Sequence, residues 1–93
     1  MGFQYDVLSA HAEASGTMVA GRARLKAYQA ISGGTAGDII FRNGGASGDI
    51  LMQFNISTGV QPISLLIPGD GILFSTNIYV ELPATAKVTI FYG

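Results

Sequence analysis

The sequence predicts an all-β protein, a small antiparallel β-sandwich whose strand spacing is compatible with a jelly roll. Three observations carry this. From residue 37 onward apolar residues recur with a period of two, the pattern of a strand with one buried face. Glycine makes up 13 of the 93 residues and punctuates those apolar runs. Charged residues are only 12 percent of the chain, and they seldom interrupt a run. Short strands separated by turns about every 8 to 12 residues indicate a sandwich or a barrel.

The elements follow in chain order. Residues 1–15 read as an extended N-terminal arm or a first strand. In the next segment Arg22, Arg24, Lys26 and Tyr28 alternate with Ala23, Leu25 and Ala27. Helical spacing would scatter those cations around an axis, so a strand with one basic face is predicted. The run Gly33-Gly34-Thr35-Ala36-Gly37 precedes a short strand carrying Ile39 and Phe41. The glycine-rich stretch from Asn43 to Asp49 then forms a hairpin loop. The strand after it places Ile50, Met52, Phe54 and Ile56 on one face and Leu51, Gln53 and Asn55 on the other. Ile63, Leu65 and Ile67 share a face of the next strand. Pro68-Gly69-Asp70-Gly71 turns the chain into Ile72-Leu73-Phe74. Ile78, Val80 and Leu82 share one face of the penultimate strand, and Val88, Ile90 and Tyr92 share one face of the last. A hairpin through Pro83 would pair Val80 with Ile90 and set Tyr79 opposite Phe91 on the outer side. Gly37-Asp38-Ile39-Ile40 and Gly48-Asp49-Ile50-Leu51 look alike, which reflects turn-then-strand grammar rather than duplication.

A chain of 93 residues makes one domain, spanning 1–93. It buries about 60 to 65 percent of its unfolded surface, so the core is thin. Thin cores are reinforced by disulfides, metals or oligomerisation. There is no cysteine, and the one histidine and six carboxylates are scattered, which leaves self-association. Leu51 and Leu66 point outward in excess of what one core covers, so two sheets or neighbouring chains must cover them. The net charge of −1 and pI near 5.5 give no basic surplus for a nucleic-acid backbone. No apolar run approaches the roughly 20 residues of a membrane-spanning helix. Residues 1–6 lack the pattern of a signal peptide, and a protein made in a cytoplasm is expected.

Each residue with chemistry to offer has a plainer role. On an extended segment Ser9, His11 and Glu13 would share a face, with Asp6 near. Alternate strand residues lie about 6.6 to 7 Å apart, too far for a tight relay. His11 therefore reads as part of a solvent-facing polar edge, and no catalytic residue is expected. Gly44-Gly45-Ala46-Ser47-Gly48 lacks the helix and lysine of a phosphate loop. Asp38, Asp49 and Asp70 sit beside glycines in three separate turns, which suits turn formation better than calcium. No metal or cofactor is expected. Arg22, Arg24 and Lys26, with Arg42 as a possible fourth member, form the one basic row. It either guards an edge strand against stray pairing or docks on an acidic partner. Tyr79 and Phe91 form the second candidate interface surface.

The run Ile67-Pro68-Gly69-Asp70-Gly71-Ile72-Leu73-Phe74, followed by Ile78-Tyr79-Val80 and the terminal Val88-Thr89-Ile90-Phe91-Tyr92-Gly93, resembles small β-rich accessory virion proteins of tailed bacteriophages, of the kind found in cyanophages. The resemblance covers roughly residues 22–93. It implies a capsid cement or decoration subunit located in the virion, with the major capsid protein or another virion protein as partner. It implies a homo-oligomer, a trimer by preference, and brings no catalytic residues. The alternative is a carbohydrate- or receptor-binding β-module of a tail or fibre, in which Tyr79, Phe91 and Asn77 would face the ligand.

Overall fold

The chain pairs with itself like one long hairpin that has been rolled up. The computed structural model describes residues 8–59, 62–67, 69 and 71–93, and among these it forms nine strands and no helix. They are β1 (Leu8–Ala12), β2 (Gly16–Val19), β3 (Ala23–Ile31), β4 (Gly37–Asn43), β5 (Asp49–Ile56), β6 (Pro62–Leu66), β7 (Ile72–Phe74), β8 (Ile78–Glu81) and β9 (Lys87–Tyr92). The hairpin tip is the β4–β5 turn. Outward from it β3 pairs with β6 and β7, β2 with β8, and β1 with β9, all antiparallel. Rolling adds the β3–β9 and β4–β8 pairs. The result is two sheets, ordered β1-β9-β3-β6 and β2-β8-β4-β5, with β7 continuing the β6 edge along β3. That winding is a jelly roll, and the predicted sandwich is the fold observed.

The two sheets face each other over a core of Leu25, Ile39, Phe41, Phe74, Ile78, Val80, Val88 and Ile90, each at most 1% exposed. Each comes from an alternating apolar run, so the period-two pattern sets which face is buried. Rings knit one end of the core. Tyr28 of β3 stacks on Phe54 of β5, and Phe41 of β4 sits tilted against both.

Bulges correct the strict alternation read from the sequence. On β3, Leu25 pairs with Tyr92 and Ala27 with Phe91, which leaves Lys26 as an extra residue. The faces swap there: Ala23 and Leu25 point inward before the bulge, Tyr28 and Ala30 after it. Tyr28 is therefore a core residue and not part of a basic face. Opposite β4, the register jumps from Met52 to Ile50 and skips Leu51. Ile50 thus leaves the inward face and is 47% exposed.

The β8–β9 hairpin does not form. β8 lies in one sheet and β9 in the other, because the chain crosses the sandwich between them. Tyr79 pairs across with Thr17 and Arg42, whereas Phe91 pairs with Ser9 and Ala27. Of the segment 1–15, residues 8–12 are the first strand. Asp6, Pro68 and Asp70 lie outside the described residues.

Candidate functional site

The register of the first sheet fixes what its outer face presents. The inward residues of β9 are Val88, Ile90 and Tyr92, so Lys87, Thr89 and Phe91 point outward. Opposite them stand Ser9 and His11 of β1 on one side, and Ala27, Gln29 and Ile31 of β3 on the other. β6 extends the pattern with Leu66 beside Ala27, Ser64 beside Gln29 and Pro62 beside Ile31. Three rows cross four strands. One row is Ser9, Phe91, Ala27 and Leu66. The middle row is His11, Thr89, Gln29 and Ser64, every one able to hydrogen-bond. The third is Lys87, Ile31 and Pro62.

His11 has partners on this face, contrary to the sequence expectation. Glu13 Oε2 lies 3.2 Å from Nε2, and Thr89 Oγ1 lies 2.8 Å from Nδ1. β1 ends at Ala12 and the chain bends there. The bend lets Glu13 fold back within reach, where a continuing strand would hold it too far away. A carboxylate can only accept, so Nε2 carries a hydrogen, and the Thr89 hydroxyl donates to Nδ1 when the ring is neutral. Lys87 Nζ stands 4.0 Å from the other Glu13 oxygen. The linkage has the order hydroxyl, imidazole, carboxylate. β9 is flanked by β1 and β3, and its N–H groups serve the two ladders. What the linkage does is fix the plane of the imidazole.

A recess of about 190 Å³ opens on this face, lined by His11, Gln29, Ile31, Pro62, Lys87 and Thr89 among others. The signal for it was present in the sequence as the polar residues at alternate positions 87 and 89, followed by Phe91 on the same face. Their neighbours across the sheet were not readable, because the partners of β9 lie about 60 and 80 positions away in the chain.

The other singled-out residues scatter. Arg22 is exposed ahead of β3, Arg24 is half-buried on the outer face opposite Leu73, and Lys26 sits in the bulge. They do not form one straight row, and they guard no edge strand, because β3 lies between β9 on one side and β6 and β7 on the other. Arg42 belongs to the other sheet, where its Nε donates to Glu81 at 3.0 Å and its Nη1 to the Gly48 carbonyl. Asp38 accepts hydrogen bonds from the Gln53 and Asn55 side chains. Asp49 pairs with Asn43 at the far end of the same hairpin. Among the described residues no three His, Cys, Asp or Glu side chains gather as a metal site. Asn77 is occupied by the hairpin loop, accepting from the Gly44 N–H at 3.0 Å. No buried side-chain nitrogen or oxygen among the described residues lacks a partner. The Tyr28 phenol is pushed above its ordinary value of 10.0 by burial.

Apart from Leu8 of β1 and Phe91 of β9, the large exposed apolar residues among those described lie on the β5–β6–β7 side of the sandwich. Every residue of β6 is exposed. Leu66 is 78% exposed, and Ile63 and Leu65 are 38% and 46% exposed although they point toward the second sheet. Ile56 of β5 and Ile63 of β6 line a recess of about 220 Å³ between the two edges. The two sheets therefore gape along this side. At the opposite side the chain itself closes the gap, where the Ser15 hydroxyl accepts from the Leu82 N–H at 2.9 Å.

Comparison of the chain with protein-family models, with curated proteins and with solved structures finds no match.

Proposed function

We propose that the chain is a structural subunit of a bacteriophage particle. In this reading it is a capsid decoration protein that self-associates, as a trimer, and stabilises the head by lying across neighbouring capsid proteins. The observation that supports it is the gaping β5–β6 side. Inward-pointing Ile63 and Leu65 are only partly covered, 38% and 46% exposed, and Leu66 stands beside them at 78%. An edge strand presents unpaired N–H and C=O groups, and protective lysines or other charges normally blunt it. β6 carries no charged residue across Pro62-Ile63-Ser64-Leu65-Leu66. Fully covering an exposed leucine contributes about 1.5 to 3 kcal/mol; Leu66 offers most of that, and Ile63 and Leu65 each add the fraction still exposed. A subunit that binds only the assembled shell shifts the equilibrium toward the shell by linkage. The similarity to accessory virion proteins supplies the particle, and the virion is the location that goes with it.

The experiment is gel filtration with light scattering, followed by co-sedimentation with phage heads that lack decoration. The expected species is a trimer at tens of micromolar. Leu66→Lys should give a folded monomer that no longer sediments with heads. A wild-type monomer at that concentration would remove self-association. Failure to sediment with heads would remove the decoration role.

A further inference from the structure

We propose that the outer face of the β1-β9-β3-β6 sheet is a glycan-binding site, in which Thr89, Gln29 and Lys87 hydrogen-bond the hydroxyls of a hexopyranose, His11 holds the Thr89 hydroxyl in place, and Phe91 carries the C–H face of the sugar. The site goes beyond the decoration role and does not depend on it.

Four independent features converge on the same patch. The first is the polar row itself. His11, Thr89 and Gln29 lie side by side on three adjacent strands. Strands are about 4.8 Å apart, so the row spans about 10 Å, the length of two linked pyranose rings. The second is pre-organisation. The Thr89 hydroxyl is held by His11 Nδ1 at 2.8 Å, the imidazole is held in turn by Glu13 at 3.2 Å, and the Thr89 oxygen keeps its capacity to accept. A polar group fixed before binding loses little freedom when the ligand arrives. The third is unspent capacity. The Gln29 amide and the Ser64 hydroxyl are exposed and make no side-chain hydrogen bond among the described residues. Gln29 alone offers two donors and an acceptor, matching the paired donor and acceptor character of a sugar hydroxyl. The fourth is the aromatic. Phe91 is 37% exposed and shares the face with Thr89, two residues along β9. That places the ring about 6.6 to 7 Å from the polar row, so one sugar can rest on the ring and reach the row with its rim. The negative face of the ring attracts polarised C–H bonds.

The recess supplies shape. Its lining joins the apolar Ile31 and Pro62 to the polar His11, Lys87, Thr89 and Gln29. A concave apolar floor with a few convergent polar groups is the general form of a small-ligand site. On the outer face of the second sheet the polar side chains are largely engaged with one another. There Arg42 is tied to Glu81, and Asp38 is tied to Gln53 and Asn55. Tyr79 and Asn77, which the sequence joined to Phe91 as a sugar site, stand on that other sheet or in its loop contacts.

The test is titration of the ¹⁵N-labelled full chain with maltohexaose, cellohexaose and a hexamer of galacturonate, following amide shifts. Saturable shifts centred on residues 11, 29, 87, 89 and 91 are expected, with a dissociation constant of about 1 mM for at least one probe. Gln29→Ala and Phe91→Ala should each weaken binding about tenfold or more, while Phe91→Tyr, which keeps the ring, should not. Thr17→Ala, on the outer face of the other sheet, should bind like wild type. A preference for the galacturonate hexamer that Lys87→Gln abolishes would place a sugar carboxylate at Lys87. The proposal is overturned if none of the three probes gives saturable shifts at high millimolar concentration. It is equally overturned if the shifts centre elsewhere, or persist undiminished in both Gln29→Ala and Phe91→Ala.

Discussion

The Tyr28 ring lies stacked on Phe54, with centroids 4.3 Å apart and planes 10° from parallel. The two come from opposite sheets, so this contact is one of the bonds between the layers. It also stands beside the gaping side of the sandwich, where few other side chains cross. Phe54→Ala should therefore cost about 2 to 3 kcal/mol, at or just below the range for a fully buried phenylalanine, because Phe54 is only half-buried. Denaturant unfolding of wild type and variant measures it. A loss under 1 kcal/mol, well short of the usual phenylalanine cost, would mean that the layers are held without this pair.

Burial raises the Tyr28 pKa above 10.0, and that gives a pH dependence with a defined sign. The folded state favours the neutral phenol, so this contribution is intact below the unfolded value near 10. It is lost as pH rises through the higher folded value. Wild type should lose stability faster than Tyr28→Phe above about pH 10, while the two track each other near neutrality. Thermal melts of both across the alkaline range make the comparison, and parallel curves would contradict the assignment.

Gly71 has φ of 83°, and a Cβ there would stand 2.4 Å from the Leu25 carbonyl oxygen. Gly69 has φ of 70° but open space around it. The pair separates two costs. Gly69→Ala should lose about 1 kcal/mol from the left-handed backbone alone. Gly71→Ala adds a clash with backbone that cannot step aside, and should lose about 3 kcal/mol or more. Equal losses at the two sites would show that β7 does not run as close to β3 as the structure has it.

The strands were legible from alternation, because a sheet buried on one face forces its residues to alternate. Strand partners were not. Leu82 to Ala86 looks like a hairpin connection, yet it carries the chain from one sheet to the other. Along it Thr85 adopts φ of 63°, and Gly33 approaches so closely that a Cβ would meet the Thr85 carbonyl oxygen. That packing is set by residues some 50 positions apart. The bulges at Lys26 and Leu51 were likewise hidden, since an extra residue leaves no mark in composition and shows only against its partner strand. The candidate site suffered most from this. Phe91 stands out in the sequence as an outward aromatic and lies in the patch, but Gln29 and Thr89 acquire meaning only when β3 and β9 are side by side.

Asn43 ties the β4–β5 hairpin tip to the loop before β8. Its Oδ1 accepts from the Thr76 N–H at 2.8 Å, and its Nδ2 donates to Ser75 at 3.0 Å. Asn77 returns the contact by accepting from Gly44. Asn43→Ala should cost about 1 kcal/mol, the usual net value of such bonds at an exposed site. Hydrogen exchange at the Gly44, Thr76 and Asn77 amides should accelerate together in the variant. If only Thr76 responds, the two loops are not coupled and Asn77 holds Gly44 without help.

Arg24 and Leu66 test how the subunit would meet a particle. Arg24 lies on the outer face opposite Leu73, and Leu66 stands at the free edge of the same sheet. Charge at the margin of an interface acts mainly on the rate of association, whereas an apolar anchor acts on the rate of release. Salt shortens the reach of Arg24 to about 8 Å at physiological ionic strength. Arg24→Glu should therefore slow attachment to heads at low salt and match wild type at high salt. Leu66→Ala should leave attachment unchanged and speed release at every salt concentration. Leu66 matters more in this scheme, because an exposed ion pair contributes only about 0 to 1 kcal/mol. Surface plasmon resonance on immobilised heads, run across a salt series with each variant checked for folding, separates the two rates. If Arg24→Glu abolishes binding at all salts while Leu66→Ala binds like wild type, the ranking is reversed and the basic residues are the anchor.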